Sequence, residues 1–222
     1  MKRWIIYLSV IIIFLISLAC YLGNHDNRSE DLWNERVTDE RIKKKEAEQA
    51  AYERIKSKAD SAYIYCQKKG FNTEYCYLVD FSIHSGKHRF FIWDFKGDSI
   101  KMASLCAHGY GQRSTTAKPV FSNTEGSYCS SLGRYKTGAR AYSNWGINVH
   151  YKLHGLDKTN DNAFKRWVVL HAHTPVSDHE IYPEHLPLGY SQGCPVISNN
   201  VMREIDTMLK KTKKPVLLWI YN

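Results

Sequence analysis

Between Trp4 and Leu22 the chain has no charged side chain, and from Ser29 to Lys69 it has neither proline nor glycine. The first absence excludes a solvated surface segment. An apolar run close to the ~20 residues that span a bilayer, placed behind Lys2 and Arg3, reads as an export segment. The second absence excludes turns. With Glu/Lys pairs at helical spacing, such as Glu40 and Lys44, it predicts one long exposed helix. Zinc-finger, helix-turn-helix and RNA-binding signatures are missing too, so the excess of 31 Lys and Arg over 22 Asp and Glu does not by itself indicate nucleic acid. Many of the basic residues fall in the helical stretch, where they make a solvated face. An anionic membrane surface or an acidic polymer fits the charge equally well. There is no internal repeat and no low-complexity tract.

A chain of 222 residues holds one sizeable core plus appendages. Residues 1–23 read first as an uncleaved signal anchor. A cleaved signal ending near Ala19 and a lipoprotein modified at Cys20 are the other readings. Residues 24–70 form a charged helical stalk, which at 1.5 Å per residue would extend roughly 60 Å. Its apolar positions, among them Ile55 and Ala59, are too sparse for a heptad seam, and the oligomeric state stays open. Residues 71–222 are the folded domain. All three readings of the N-terminus place this domain outside the cytoplasm, in an oxidising compartment. There Cys66, Cys76, Cys106 and Cys129 are either one or two disulfides or four small buried hydrophobes.

After Gly70 the texture becomes short β-branched and aromatic runs between polar turns. Strands are expected at Tyr75 to Phe81, Arg89 to Phe95, Ser99 to Ala107, Gly146 to Leu153, Arg166 to His173 and Pro215 to Tyr221. Phe95-Lys96-Gly97-Asp98 reads as a hairpin turn. A helix is expected from about Asn199 to Lys211, with Ser198 as its N-cap. The fold class is mainly β (α+β) with a few helices.

In Trp167-Val168-Val169-Leu170-His171-Ala172-His173, strand alternation puts Val168, Leu170 and Ala172 on one side and both histidines on the other. Downstream, Gly193 lets the chain turn sharply before Cys194, and Pro195 stiffens the exit towards the helix. A thiol near an imidazole and a helix N-terminus favours its nucleophilic thiolate. Backbone amides of the Gly193 turn would suit an oxyanion. On Ser191-Gln192-Gly193-Cys194 alone, a buried loop cysteine is the simpler reading.

Val169-Leu170-His171 followed by Ser-x-Gly-Cys-Pro resembles the YkuD-type L,D-transpeptidase catalytic domain, and more narrowly its murein L,D-transpeptidase branch. Further blocks carry the resemblance: His108-Gly109-Tyr110-Gly111, Phe121-Ser122-Asn123, Gly126-Ser127-Tyr128, Ser130 to Gly133, Leu153 to Asp157, and Asn160 to Ala163 with Arg166. It spans residues 74–222. It implies an L,D-transpeptidase-like β-sandwich in which Cys194 is acylated by a peptidoglycan stem peptide and His171 is the base. Gly193 and Cys194 would supply oxyanion amides, Ser191 would shape the turn, and His108 would stand near the site. Gln192 replaces the family's usual histidine, and Ala172-His173 replaces its usual Gly-Ala or Gly-Thr, so Gln192 and His173 are pocket residues, with His173 either reshaping the pocket or competing as the base. An aspartate is not required to orient the base, because family members often use a main-chain carbonyl, and Asp178 need not be a triad member. No cofactor or metal is implied. The partners are a donor tetrapeptide, an acceptor amine, and the membrane through residues 1–23. Water as acceptor would make the same site an L,D-carboxypeptidase.

Two rivals come from other classes. A metal-dependent hydrolase would use His171 and His173, with Cys106, His108, Cys194, His179 or His185 as further ligands. A catalytically silent wall-binding module would keep the fold and the tether without a reactive thiol.

Overall fold

The computed structural model describes the backbone of residues 2–222 and the side chains of residues 14–18, 21 and 32–222. The chain divides into two compact units, residues 1–53 and 54–222. The first is the N-terminal part of helix α1, which runs Lys2–Lys69. Among the described residues no helix is long and apolar enough to cross a membrane. Most side chains of the apolar run from Trp4 to Leu22, on which the expectation of an export segment at residues 1–23 rests, lie outside the described residues.

The second unit begins inside α1. The last turns of this helix are not a solvated face, because Ile55, Ala59, Ala62 and Cys66 recur at helical spacing and all are buried. The helix stops at Gly70, whose φ of 72° is the left-handed turn favoured just past a helix end. The strands that follow are β1 (Tyr75–Asp80), β2 (Phe90–Asp94), β3 (Ser99–Ser104), β4 (Cys106–Ala107), β5 (Gly133–Tyr142), β6 (Val149–Gly155), β7 (Val169–Ala172), β8 (Val196–Ile197) and β9 (Leu217–Tyr221). Helix α2 (Asn199–Lys211) lies between the last two.

Among the described residues these strands make one nine-stranded sheet in the order β3, β2, β1, β9, β5, β6, β7, β8, β4. The expected β-sandwich is therefore replaced by a single sheet that nearly closes on itself. Its two edge strands, β3 and β4, are separated in sequence only by Leu105, so the edges are forced together. One face of every region of this sheet feeds the same core: Tyr77, Ile92, Tyr135, Leu153, Leu170, Ile197 and Leu218 are buried there with Val201, Met202 and Ile205 of α2. Pairs β1/β9 and β7/β8 are parallel and the others antiparallel.

The β2/β3 turn is closed by Asp94, whose carboxylate accepts the amides of Lys96 and Gly97 at 2.9 and 3.1 Å. Ser198 stands at the N-cap position of α2, but its hydroxyl makes no capping bond; it is buried, and its own amide donates to Ser104 Oγ at 3.1 Å. Cys66, Cys76, Cys106 and Cys129 are buried free thiols, which is the hydrophobe reading rather than the disulfide one.

Candidate active site

Strand β7 is the spine of the site. Leu170 and Ala172 point into the core, while Val169 and His171 line a cavity of about 400 Å³. In the parallel β7/β8 register His171 pairs with Val196, which brings Cys194 alongside Val169. The Val169 amide donates to Cys194 Sγ at 3.4 Å, and the sulfur lies 3.8 Å from the Trp167 carbonyl. Cys194 is half-buried. Burial pushes its thiol up from the ordinary value, while the Val169 amide and the charges of Lys152 and Arg166 pull it down.

His171 is nine-tenths buried, and its Nδ1 stands 3.0 Å from the Ala172 carbonyl. With the Nδ1 proton donated there, Nε2 carries the lone pair. Burial lowers the imidazole from its usual range, the Ala172 carbonyl raises it, and His150 and His173 lower it further. His150 is its direct cross-strand neighbour on β6.

The turn before the cysteine is shaped by Ser191. Its hydroxyl donates to the Cys194 carbonyl at 2.6 Å and accepts the Gly193 amide at 2.9 Å. This corrects the expectation for Gly193: its N–H is committed to Ser191 and does not face an oxyanion. Glycine is required at 193 for two reasons. Its φ is 112°, and a Cβ there would lie 2.6 Å from the Cys129 carbonyl. Gly109 presses equally close, since a Cβ on it would stand 2.9 Å from Gly193 Cα and 2.2 Å from the Tyr128 carbonyl. Three sequence blocks far apart in the chain thus meet backbone to backbone behind the nucleophile.

Arg166 locks that junction. Its guanidinium donates to the Ser122 carbonyl at 3.0 Å, to Ser131 Oγ, to the Cys129 carbonyl at 2.6 Å and to Ser127 Oγ at 3.3 Å.

Of the residues singled out in the sequence, Cys194, His171, Ser191, Gln192 and His173 line the cavity together. His173 sits edge-on between Trp145 and Tyr190, each with ring centroids 5.0 Å away. Gln192 is exposed and, with Cys194, also borders a second opening formed by Glu125, Gly126, Tyr128, Lys165, Arg166 and Trp167. His108 does not reach the cavity. Arg89 donates to its Nδ1 at 2.8 Å, its Nε2 faces the Thr115 carbonyl at 2.9 Å, and its neighbour Gly109 makes the contact with the cysteine turn. Among the described residues no three His, Cys, Asp or Glu side chains are grouped to hold a metal ion, so the further ligands of the hydrolase reading are not assembled.

Sequence reasoning missed the far wall of the cavity, which is Tyr142, Ser143, Asn144 and Trp145 at the end of β5 and His150 on β6. It also missed Lys152. Alternation along β6 would have placed Lys152 on the same face as His150, but nothing local links that strand to the cysteine.

Fold and site together define a mainly β domain that gathers a thiol and an imidazole in one cavity. The profile of the L,D-transpeptidase catalytic domain matches residues 45–221, and the chain belongs to that family. Among solved structures it is similar to the helical cell shape determining protein Pgp2 from Campylobacter jejuni, at 12% identity and a TM-score of 0.42, over 67% of this chain and 47% of that one. It is also similar to the L,D-transpeptidase from Xylanimonas cellulosilytica, at 9% identity and a TM-score of 0.38, over 71% of this chain and 68% of that one. The chain thus spans about half the length of the Pgp2 structure, 47%. No curated protein matches it.

Proposed function

We propose that this chain is a cysteine-dependent L,D-transpeptidase acting on peptidoglycan stem peptides from the outer side of a membrane. The observation that carries the reading is the shared cavity. A half-buried sulfur held by the Val169 amide opens onto the same space as an imidazole whose Nδ1 is fixed by the Ala172 carbonyl. His171 takes the thiol proton, and the thiolate attacks the carbonyl of the L-centre of diaminopimelate in a tetrapeptide stem. With the Gly193 amide committed to Ser191, the Cys194 amide is the oxyanion donor assigned here. Collapse of the tetrahedral intermediate breaks the bond to the terminal D-alanine, whose amine leaves with the proton from His171. A thioester remains. A neighbouring stem's amine, deprotonated by the same imidazole, then resolves it. Residues 1–23 would tether the chain to the membrane and residues 24–70 would serve as the stalk.

The test is the full-length protein with disaccharide-tetrapeptide, products followed by mass spectrometry, beside Cys194→Ala. Cross-linked dimers from the wild type alone are expected. Tripeptide alone would make the acceptor water and the enzyme an L,D-carboxypeptidase, and absence of turnover in the wild type overturns the reading. Because the base must be neutral and its imidazole titrates below the ordinary 6.5, the acid limb of kcat/KM is expected below pH 6.5.

A further inference from the structure

Lys152 is a charged side chain that the fold treats as part of its interior. It is 7% exposed, and its Nζ has no hydrogen-bond partner among the described residues. Burying an unpaired ammonium is unfavourable. Two aromatic faces offset part of that cost: the Trp167 ring centroid lies 3.9 Å from Nζ and the Phe164 centroid 4.8 Å. The remainder calls for an anion nearby.

The sulfur of Cys194 acts electrostatically on this ammonium. Lys152 pairs across the sheet with Val169, and the Val169 amide donates to Cys194 Sγ. Trp167 bridges the two groups, with its carbonyl 3.8 Å from Sγ and its indole over Nζ. That residue holds a φ of 59° and leaves its side chain 73% exposed. A bulky residue in the left-handed region, with its ring spread over solvent rather than in the core, is strain kept where the local structure demands it. Here the demand is a cover over the ammonium.

We propose that Lys152 is a positioning cation that stabilises the Cys194 thiolate formed when His171 takes its proton, shielded from water by the indole of Trp167. The proposal rests on Cys194 being the nucleophile and adds what keeps it charged. Burial works against both charges, and each group counters it in the other. Burial lowers Lys152, and the Cys194 thiolate raises it again; Lys152 in turn acts against the burial that raises Cys194. The other titratable groups facing the sulfur are Arg166 from the turn before β7, His171 from β7 and Tyr135 from β5. Of these, Arg166 spends its donors on the Ser122 to Ser131 segment, and Tyr135 donates to the Ser131 carbonyl at 2.7 Å. Around Lys152 stand His150 and His154 on its own strand and Lys165 in the preceding turn of β7. None of these is an anion.

The test measures the pH dependence of Cys194 alkylation by iodoacetamide in the full-length protein, read at the Cys194 peptide by mass spectrometry. Wild type, Lys152→Met, Lys152→Arg, Trp167→Ala and His171→Ala are compared. In Lys152→Met the reactivity midpoint should rise by about one pH unit, leaving roughly tenfold less thiolate at neutral pH. Lys152→Arg, which keeps the charge and stacks on indole, should restore the wild-type midpoint and turnover. Trp167→Ala, at an exposed position, should give part of the rise. An unmoved midpoint in Lys152→Met overturns the proposal, as does Lys152→Arg behaving like Met, or losing turnover with its midpoint kept, which would make the lysine a base. Should Lys152→Met not fold, an unmoved midpoint in Trp167→Ala decides against it. A shift confined to His171→Ala would assign the thiolate to the imidazole alone. Since alkylation needs no peptidoglycan, these results stand apart from turnover: an inert Cys194→Ala with an unmoved Lys152→Met midpoint sinks the cation and leaves the transpeptidase intact.

Discussion

His108 is held neutral. Burial comes first and the Arg89 charge second, and together they bring its imidazole down from 6.5 to about 4. Its stabilising contribution is complete above pH 6.5, where folded and unfolded forms are both neutral. It is lost as pH falls from 6.5 to about 4, because the unfolded chain takes up a proton that the folded chain refuses. The loss should reach about 3 kcal/mol. Denaturant unfolding across that window should show the slope, and His108→Asn, which can still accept from Arg89, should reduce it. At Gly193 the argument is steric. Gly193→Ala must place a Cβ 2.6 Å from the Cys129 carbonyl at a φ of 112°. A loss of about 3 kcal/mol in unfolding free energy is expected. If the turn shifts instead, turnover should fall about 100-fold with the displaced sulfur. Unfolding curves and steady-state rates on the same sample separate these outcomes.

The last turns of α1 behave as part of the domain. Beyond the buried stripe, Arg54 donates to the fully buried Asp80 carboxylate at 2.9 Å, and Lys58 lies 4.6 Å over the rings of both Trp219 and Tyr221. A chain trimmed to residues 71–222 leaves Asp80 without its cation and uncovers the apolar surface beneath Ala59, Ala62 and Cys66. It should be less stable than residues 54–222 by at least about 3 kcal/mol, measured by thermal or denaturant unfolding. This element also marks the limit of what was legible in the sequence. Charged side chains outnumber apolar ones between Ser29 and Lys69, so the solvated reading dominated although Ile55, Ala59, Ala62 and Cys66 were already at helical spacing. Helix α2 was legible to the residue because its amphipathic stripe is a local pattern. Strand β5 was not anticipated. Gly133 and Gly138 interrupt its side-chain pattern, and the strand is broken by a register shift between Thr137 and Arg140. What stabilises it is pairing with β6 and β9, which no local signal encodes. For the same reason Cys194 and His171 could be named from their motif, whereas Lys152 and the Tyr142 to Trp145 wall could not.

Across the whole domain the thiols divide sharply. Burial pushes Cys66 and Cys106 up to about 12, raises Cys76 well above the ordinary range, and raises Cys129 too. Cys194 is the one thiol among the described residues that reaches a cavity. Native alkylation at pH 8 followed by peptide mapping should therefore label Cys194 and spare these four, and denaturant should expose them all. The sheet that hides the others also senses the reactive one. Val169 donates its amide to sulfur at the point where the β7/β8 ladder would otherwise offer a carbonyl, so the nucleophile doubles as an acceptor in the backbone of the fold. Each change in its bonding, from thiolate to thiol to thioester, weakens that acceptor in turn. The exchange rate or chemical shift of a single amide hydrogen becomes a meter of the reaction, and turnover is written into the sheet as a periodic loosening of its own ladder.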